Sequence, residues 1–278
     1  MRVFVTGATG HIGSLVVTEL LDSGHEVSGL VRSDTSAAAL TAAGAQVHRG
    51  TLDDLDHLRT ATAEADGVIH LAFIHDFSNF AAALTTDLRA VETMGAALEG
   101  TGKPFVITAH RNGEASENVA IALAGVRSSV VRLAPSVHGP ADHHGFIPTL
   151  IRVAREKGVS AYIGDGANRW PAVHELDAAH LFRLALEGAP AGSRLHGIGD
   201  EGVPFREIAE AIGRHLGMPM VSVSREEATA HFGWLGTIAS VDIPASSAAT
   251  QELLGWRPAH PGLMMDLEEG HYFDSSVA

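Results

Sequence analysis

A chain of 278 residues, 45% hydrophobic and 19% charged, has an ordinary globular make-up and is long enough for one large α/β unit or two unequal domains. Its formal net charge of -14 repels a phosphate backbone at long range and argues against nucleic acid as a partner. Cysteine is absent, which excludes disulfides and thiolate chemistry, and no apolar run is long enough to span a bilayer.

The opening "MRVFVTGATGHIG" enters a strand at once and lacks a signal peptide's charged region and apolar core, so a cytoplasmic location is expected. Arg2 to Thr6 is a short β-rich run followed by glycines, and Ile12 to Leu21 carries apolar residues at helical spacing, closed by Gly24. "HEVSGLVR" is the second strand, Ala37 to Ala43 a short helix, "AQVHRG" the third strand and "LDDLDHLRTATAEA" the third helix. "DGVIHLAF" follows as a strand, Thr85 to Gly100 as a long helix, and "FVITA" as the fifth strand. Ala115 to Ala124 is its helix and "SSVVRLAP" the sixth strand. Several strands are continuous apolar runs, as expected where helices cover both faces. The fold class is therefore α/β, a doubly wound and mostly parallel Rossmann sheet, with ligands at the carboxyl ends of the strands.

After Pro135 the alternation loosens. "GFIPTLIRVAREKG", "LDAAHLFRLALEGAP", "VPFREIAEAIGRHLG" and "ATQELLGWRP" read as helices, and "VSAYIGDGANRWPAVH" as two strands around a Gly-rich turn. The expected division is a dinucleotide-binding domain over 1–140 and a smaller, mainly substrate-binding lobe over 141–278, with about 171–198 returning to the sheet.

"VFVTGATGHIGSLVV" sets Gly7, Gly10 and Gly13 between strand one and helix one. Gly7 permits the tight turn, Gly10 lets backbone approach a pyrophosphate, and Gly13 allows close packing of helix on strand. The free amides at the helix start then face the anion. At the end of the second strand, "GLVRSDTS" offers Arg32 and Ser33 to a 2′-phosphate, with Asp34 as the competing carboxylate for a 2′-hydroxyl. NADP is the cofactor this pattern favours.

"TGATGHIG", "GLVRS", "GTLDDLDHL", "GVIHLAF", "VVRLAPSVHGP" and "WPAVHELDAA" together resemble the extended or atypical short-chain dehydrogenase/reductases. Within these the closer likeness is to the NAD-dependent epimerase/dehydratase group and its 3β-hydroxysteroid-dehydrogenase-like relatives. The resemblance implies that Gly7, Thr9, Gly10, His11 and Ile12 wrap the pyrophosphate and that Leu52 lies by the adenine. It implies that Leu71, Ala72 and Phe73 line the central cleft and that Pro135, Ser136, Val137 and His138 flank the nicotinamide. Thr51 stands where the family usually has Asp, and His138 where it usually has Tyr.

The family's catalytic set is a Ser or Thr ending strand five and a Tyr-x-x-x-Lys on the next helix. Thr108 resembles the first member, but Gly113 stands at the Tyr position and Glu117 at the Lys position. Glu117 is left to bond ribose hydroxyls as an acceptor, or to be a surface glutamate. The family also separates these elements by a substantial loop, whereas almost nothing stands between Ala109 and His110. Residues missing at that point are the preferred reading and a true deletion the alternative. Candidate proton donors are His110, His75 with Asp76, and His138. The sequence has 17 histidines but no metal-ligand periodicity, so no metal is expected.

The leading functional expectation is an NADP(H)-dependent oxidoreductase acting on a small carbonyl or alcohol, bound against walls such as Phe73, Phe77, Phe146 and Trp170. Trp170 reads equally well as core between the lobes. The alternatives are a sugar-nucleotide epimerase or dehydratase, and a regulatory protein that binds NADPH without turnover. A homodimer is the default expectation for a symmetric protein of this kind.

Overall fold

The computed structural model describes residues 1–74, 79–109 and 113–273. The chain opens as β1 (Arg2–Thr6), α1 (His11–Asp22), β2 (Glu26–Val31), α2 (Asp34–Ala42), β3 (Gln46–Arg49) and α3 (Leu55–Glu64). It continues as β4 (Gly67–His70), α4 (Phe80–Leu98), β5 (Pro104–Thr108), α5 (Glu114–Ala122) and β6 (Arg127–Leu133). Then come β7 (Ser136–His138), α6 (Phe146–Lys157), β8 (Ser160–Ile163), β9 (Arg169–His174), α7 (Glu175–Gly188) and β10 (Ser193–Gly197). The last part is β11 (Asp200–Pro204), α8 (Phe205–Leu216), β12 (Met220–Val223), α9 (Ala228–Phe232), α10 (Gly236–Ala239), α11 (Ala248–Leu254) and α12 (Leu263–Glu269).

Two compact units result. The first comprises Met1–Arg132, Ala178–His196 and Ala249–Trp256. It carries a seven-stranded sheet of order β10-β6-β5-β4-β1-β2-β3, in which β1 pairs in parallel with both β2 and β4. This is the doubly wound sheet expected from the alternation. Chain order reverses between β4 and β1, which is the topological switch point where such sheets open a crevice. One face of the sheet buries Phe4, Val68, Phe105, Ile107 and Val130 under Leu58, Val91, Met94 and Leu98 of α3 and α4. Val3, Val5 and Ile69 alternate with these and are also fully buried, so helices cover both faces.

The second unit comprises Leu133–Asp177, Gly197–Ala248 and Arg257–Ala278. It holds a three-stranded sheet, β11-β9-β7, and a two-stranded one, β12-β8. The second unit opens at Leu133, and its β7 pairs in parallel with β9, Ser136 opposite Ala172 and His138 opposite His174. Ala178–His196 and α11 belong to the first unit, with Thr250 Oγ1 accepting from His196 N at 2.7 Å. Trp170 is fully buried between Phe146 and Phe205, at ring separations of 5.2 and 5.1 Å, so it is core of this unit and not a wall open to substrate. Phe77 lies outside the described residues. Among the described residues no helix is long and apolar enough to cross a membrane.

Candidate dinucleotide and active site

The turn after β1 is built around the absence of side chains. Gly7 has φ +71°, and a Cβ there would lie 2.7 Å from Ala72 N. A Cβ on Gly13 would lie 1.9 Å from the Gly7 carbonyl oxygen, so α1 touches the turn backbone to backbone. Gly10 donates its amide to Gly7 O at 3.0 Å and caps α1 in extended conformation without a side-chain cap. Among the described residues, no side chain caps the first amides of α1, which lie beside exposed Thr9 and Gly10 and half-buried His11 and Ile12. Chemically, this is a cradle for an anion.

Arg32 follows β2 and is exposed, and among the described residues it forms no ion pair. Ser33 is the N-cap of α2: its Oγ accepts from Ser36 N at 3.1 Å and donates to Ser36 Oγ at 3.1 Å. Asp34, the competing carboxylate, pairs with Arg49 at 2.7 Å. Leu52 is buried in the core under β2 and β4, and the neighbouring Thr51 hydroxyl donates to Asp54 Oδ2 at 3.1 Å.

Leu71, Ala72 and Phe73 leave β4 half-buried. The amides of Leu71 and Ala72 donate to Thr6 Oγ1 at 3.3 and 3.2 Å. Beneath them Thr6 Oγ1 meets His70 Nδ1 at 2.6 Å, His70 Nε2 meets Asp87 Oδ1 at 3.1 Å, and Ser116 Oγ donates to Asp87 Oδ2 at 2.5 Å. The members of this chain come from β1, β4, α4 and α5, so no local run of residues announces it. The "H" of "GVIHLAF" and a lone Asp within an apolar helix were the only signals available.

Thr108 ends β5 and is half-buried. His75 and His110 lie outside the described residues, and Gly113 is the N-cap of α5. Glu117 sits one turn into α5 and is not a surface glutamate. Its carboxylate takes Arg132 Nη2 at 2.5 Å and Arg132 Nε at 3.3 Å, with Arg194 Nε at 3.7 Å, and its side chain is only 7% exposed. The acceptor proposed for ribose is therefore already held by two guanidinium groups. Nearby His196 is pushed below the ordinary histidine range, first by burial and then by Arg132.

In the second unit, Pro135 and Val137 are half-buried, while Ser136 and His138 are buried on one face of β7. His138 Nδ1 meets Asp266 Oδ2 at 2.7 Å, with both groups almost fully buried. Ser136 Oγ and His138 Nε2 have no hydrogen-bond partner among the described residues. The His138 ring stands edge-on to His174, which stacks on His260 at 4.8 Å, and Asp177 takes His260 Nδ1 at 2.8 Å. Burial first, then the charges of His138 and His260, holds His174 below the usual range.

A family model described as "NAD dependent epimerase/dehydratase family" matches residues 3–99. An uncharacterized protein of Schizosaccharomyces pombe is 50% identical over 296 residues, which cover 98% of this chain and 100% of that protein. That alignment is longer than the 278-residue chain, so part of the yeast protein faces a gap in it. A UDP-glucose 4-epimerase of Corynebacterium glutamicum is 26% identical over 332 residues, covering 100% of this chain and 97% of the epimerase. The structure of the dTDP-glucose 4,6-dehydratase DesIV of Streptomyces venezuelae, with NAD bound, superposes with a TM-score of 0.76 at 20% identity over 100% of both chains, which shows a shared fold.

Proposed function

Because the chain belongs to the NAD-dependent epimerase/dehydratase family of extended short-chain dehydrogenase/reductases, we propose that it is an NADP(H)-dependent oxidoreductase that reduces a small ketone or aldehyde, or oxidises the matching alcohol. The observation that carries this reading is the cradle at Gly7, Gly10 and Gly13, whose close backbone contacts leave no room for a Cβ at Gly7 or Gly13. When bound, the reduced nicotinamide supplies a hydride from its carbon four.

The chain's own groups divide the remaining work. Main-chain nitrogens at the start of α1, with Thr9, His11 and Ile12, hold the pyrophosphate. Arg32 and the Ser33 hydroxyl take the adenosine 2′-phosphate, a reading supported by the pairing of Asp34 with Arg49. Leu71, Ala72 and Phe73 supply half-buried apolar surface with Leu52 buried beside them, and only the family resemblance assigns Pro135, Ser136, Val137 and His138 to the nicotinamide. Glu117 contributes through its clamp on Arg132. Thr108 orients the substrate oxygen, and the proton comes from His75 or His110, while His138, buried and tied to Asp266, is left out of that role.

A second reading, a sugar-nucleotide epimerase or dehydratase, is favoured by the full-length likeness to the Corynebacterium epimerase. Against it, three arginines of the second half that could serve a second diphosphate, Arg152, Arg155 and Arg169, are already engaged. Arg152 pairs with Glu156 at 2.8 Å, Arg169 takes both oxygens of Asp242 at 3.1 and 3.0 Å, and Arg155 donates to the Phe273 carbonyl at 3.2 Å.

The test is loss of reduced-nicotinamide absorbance when the protein is mixed with NADPH and a panel of small ketones and aldehydes. Substrate-dependent oxidation is expected. Cofactor retained through purification, with turnover of a nucleotide sugar and no net oxidation, selects the epimerase reading. Binding with no turnover of either class selects the regulatory one.

A further inference from the structure

We infer that the buried chain Thr6–His70–Asp87–Ser116 is the positioning device that holds the β1–β4 junction in the shape the dinucleotide needs, with His70 and Asp87 as positioning residues. The inference rests on the dinucleotide reading above and assigns a task to side chains that touch no ligand.

The donors and acceptors run in one direction. Thr6 Oγ1 already accepts from the amides of Leu71 and Ala72, so its own proton goes to His70 Nδ1. His70 then carries its proton on Nε2 and donates to Asp87 Oδ1, while Ser116 donates to Asp87 Oδ2. The His70 and Asp87 side chains are 1% and 2% exposed. A carboxylate in so dry a place is costly to keep, and an apolar replacement of similar size would often be as stable or more so. What it provides here is geometry, because four elements are tied to one another through a single carboxylate.

The upper end of the chain is the part that matters for binding. Beyond His70 the strand is over, and the amides of Leu71 and Ala72 are held by the residue immediately before Gly7. Gly7 itself lies so close to Ala72 that a single Cβ would meet its nitrogen at 2.7 Å. The separation of the first cradle glycine from the end of β4 is therefore set by Thr6, and Thr6 is set by His70 and Asp87. This junction is where the sheet reverses order and where a dinucleotide crosses from one half to the other. The adenosine half would sit by Arg32 and Ser33 at the end of β2, which the chain does not touch. The network should therefore act on the whole dinucleotide and leave the adenosine fragment alone.

Calorimetric titration of the full chain with NADPH and with adenosine 2′-monophosphate, which carries no 5′-phosphate for the glycine cradle, tests this. Asp87→Leu is expected to weaken NADPH by about tenfold or more and the 2′-monophosphate by less than about twofold. Asp87→Asn keeps an oxygen acceptor for His70 and should stay within about threefold of wild type for both ligands. Ser116→Ala removes one donor, and its smaller loss of NADPH affinity should show the same split even if Asp87→Leu does not fold. Variants that lose thermal stability but bind NADPH like wild type, or that weaken both ligands in parallel, would overturn the positioning role. A wild-type protein that binds neither ligand would instead overturn the dinucleotide reading on which it rests.

Discussion

Gly10 and Gly13 are three residues apart and do different things. A methyl at Gly13 collides with the Gly7 carbonyl at 1.9 Å, whereas one at Gly10 meets the same atom at 3.3 Å. Gly13→Ala should cost about 2 to 3 kcal/mol in urea denaturation. Gly10→Ala should unfold close to wild type yet lose most dinucleotide affinity, since its methyl stands where the pyrophosphate must approach. Equal loss of stability in both would contradict this assignment. A second contrast involves pH. Asp66 is held down to about 2, chiefly by hydrogen bonds from the Arg2 guanidinium and backbone amide. Its folded value is below the unfolded value of about 3.9, so its contribution is complete above that pH and fades as pH falls through the folded value. The stability gap between wild type and Asp66→Asn should close between about pH 4 and pH 2; a gap unchanged across that range would remove the pair from the account. The glycines were legible in the sequence because each has a local stereochemical task. Glu117 was legible only as an anomaly: its partner Arg132 comes from another strand, and Arg194 from a segment that returns to the sheet much later.

Helix α5 shows what an element can hide. Its nine residues carry Glu114 and Glu117 in the first turn, where carboxylates favour the helix dipole. Ser116 ties that turn to α4 and Glu117 ties it to β6. Restoring the residue usual in the family, by Glu117→Lys, would set a third cation against Arg132 and Arg194. The expected result is a loss of about 3 kcal/mol in thermal or urea unfolding and no gain in NADPH oxidation. A stable and more active Glu117→Lys protein would mean that the lysine site survives intact. Helix and strand order up to β6 was readable because apolar runs alternate with helical spacing, and Gly24, Gly44 and Gly255 do adopt positive φ. Beyond that point, β7 is three residues long and β11 pairs with β9 through an irregular register. Such strands owe their existence to long-range pairing, which local periodicity does not report.

Across the molecule, four histidines spread over both units resist taking up a proton. His48, His174, His196 and His231 are each held below the ordinary histidine value, with burial as the first cause. In the pH range below the unfolded value of about 6.5, the unfolded chain takes up these protons before the folded one does. Their contribution to stability is complete above that pH and is lost as pH falls through the folded values. His174→Asn should therefore narrow the stability difference from wild type between about pH 7.5 and pH 5.5, measured by urea midpoints; a constant difference would contradict it.

The start of the second unit at Leu133 and the place of α11 in the first follow from long-range pairing, which no local run of residues displays. The proposed reductase requires that the first unit grip a phosphorylated pyridine dinucleotide. Calorimetric titration of wild-type protein and Arg32→Ala with NADPH and NADH measures that grip most directly. The predicted result is saturable one-to-one binding by wild type, at least about tenfold tighter for NADPH, with the preference lost in Arg32→Ala. No heat of binding from either nucleotide at millimolar concentration would contradict the account at its root.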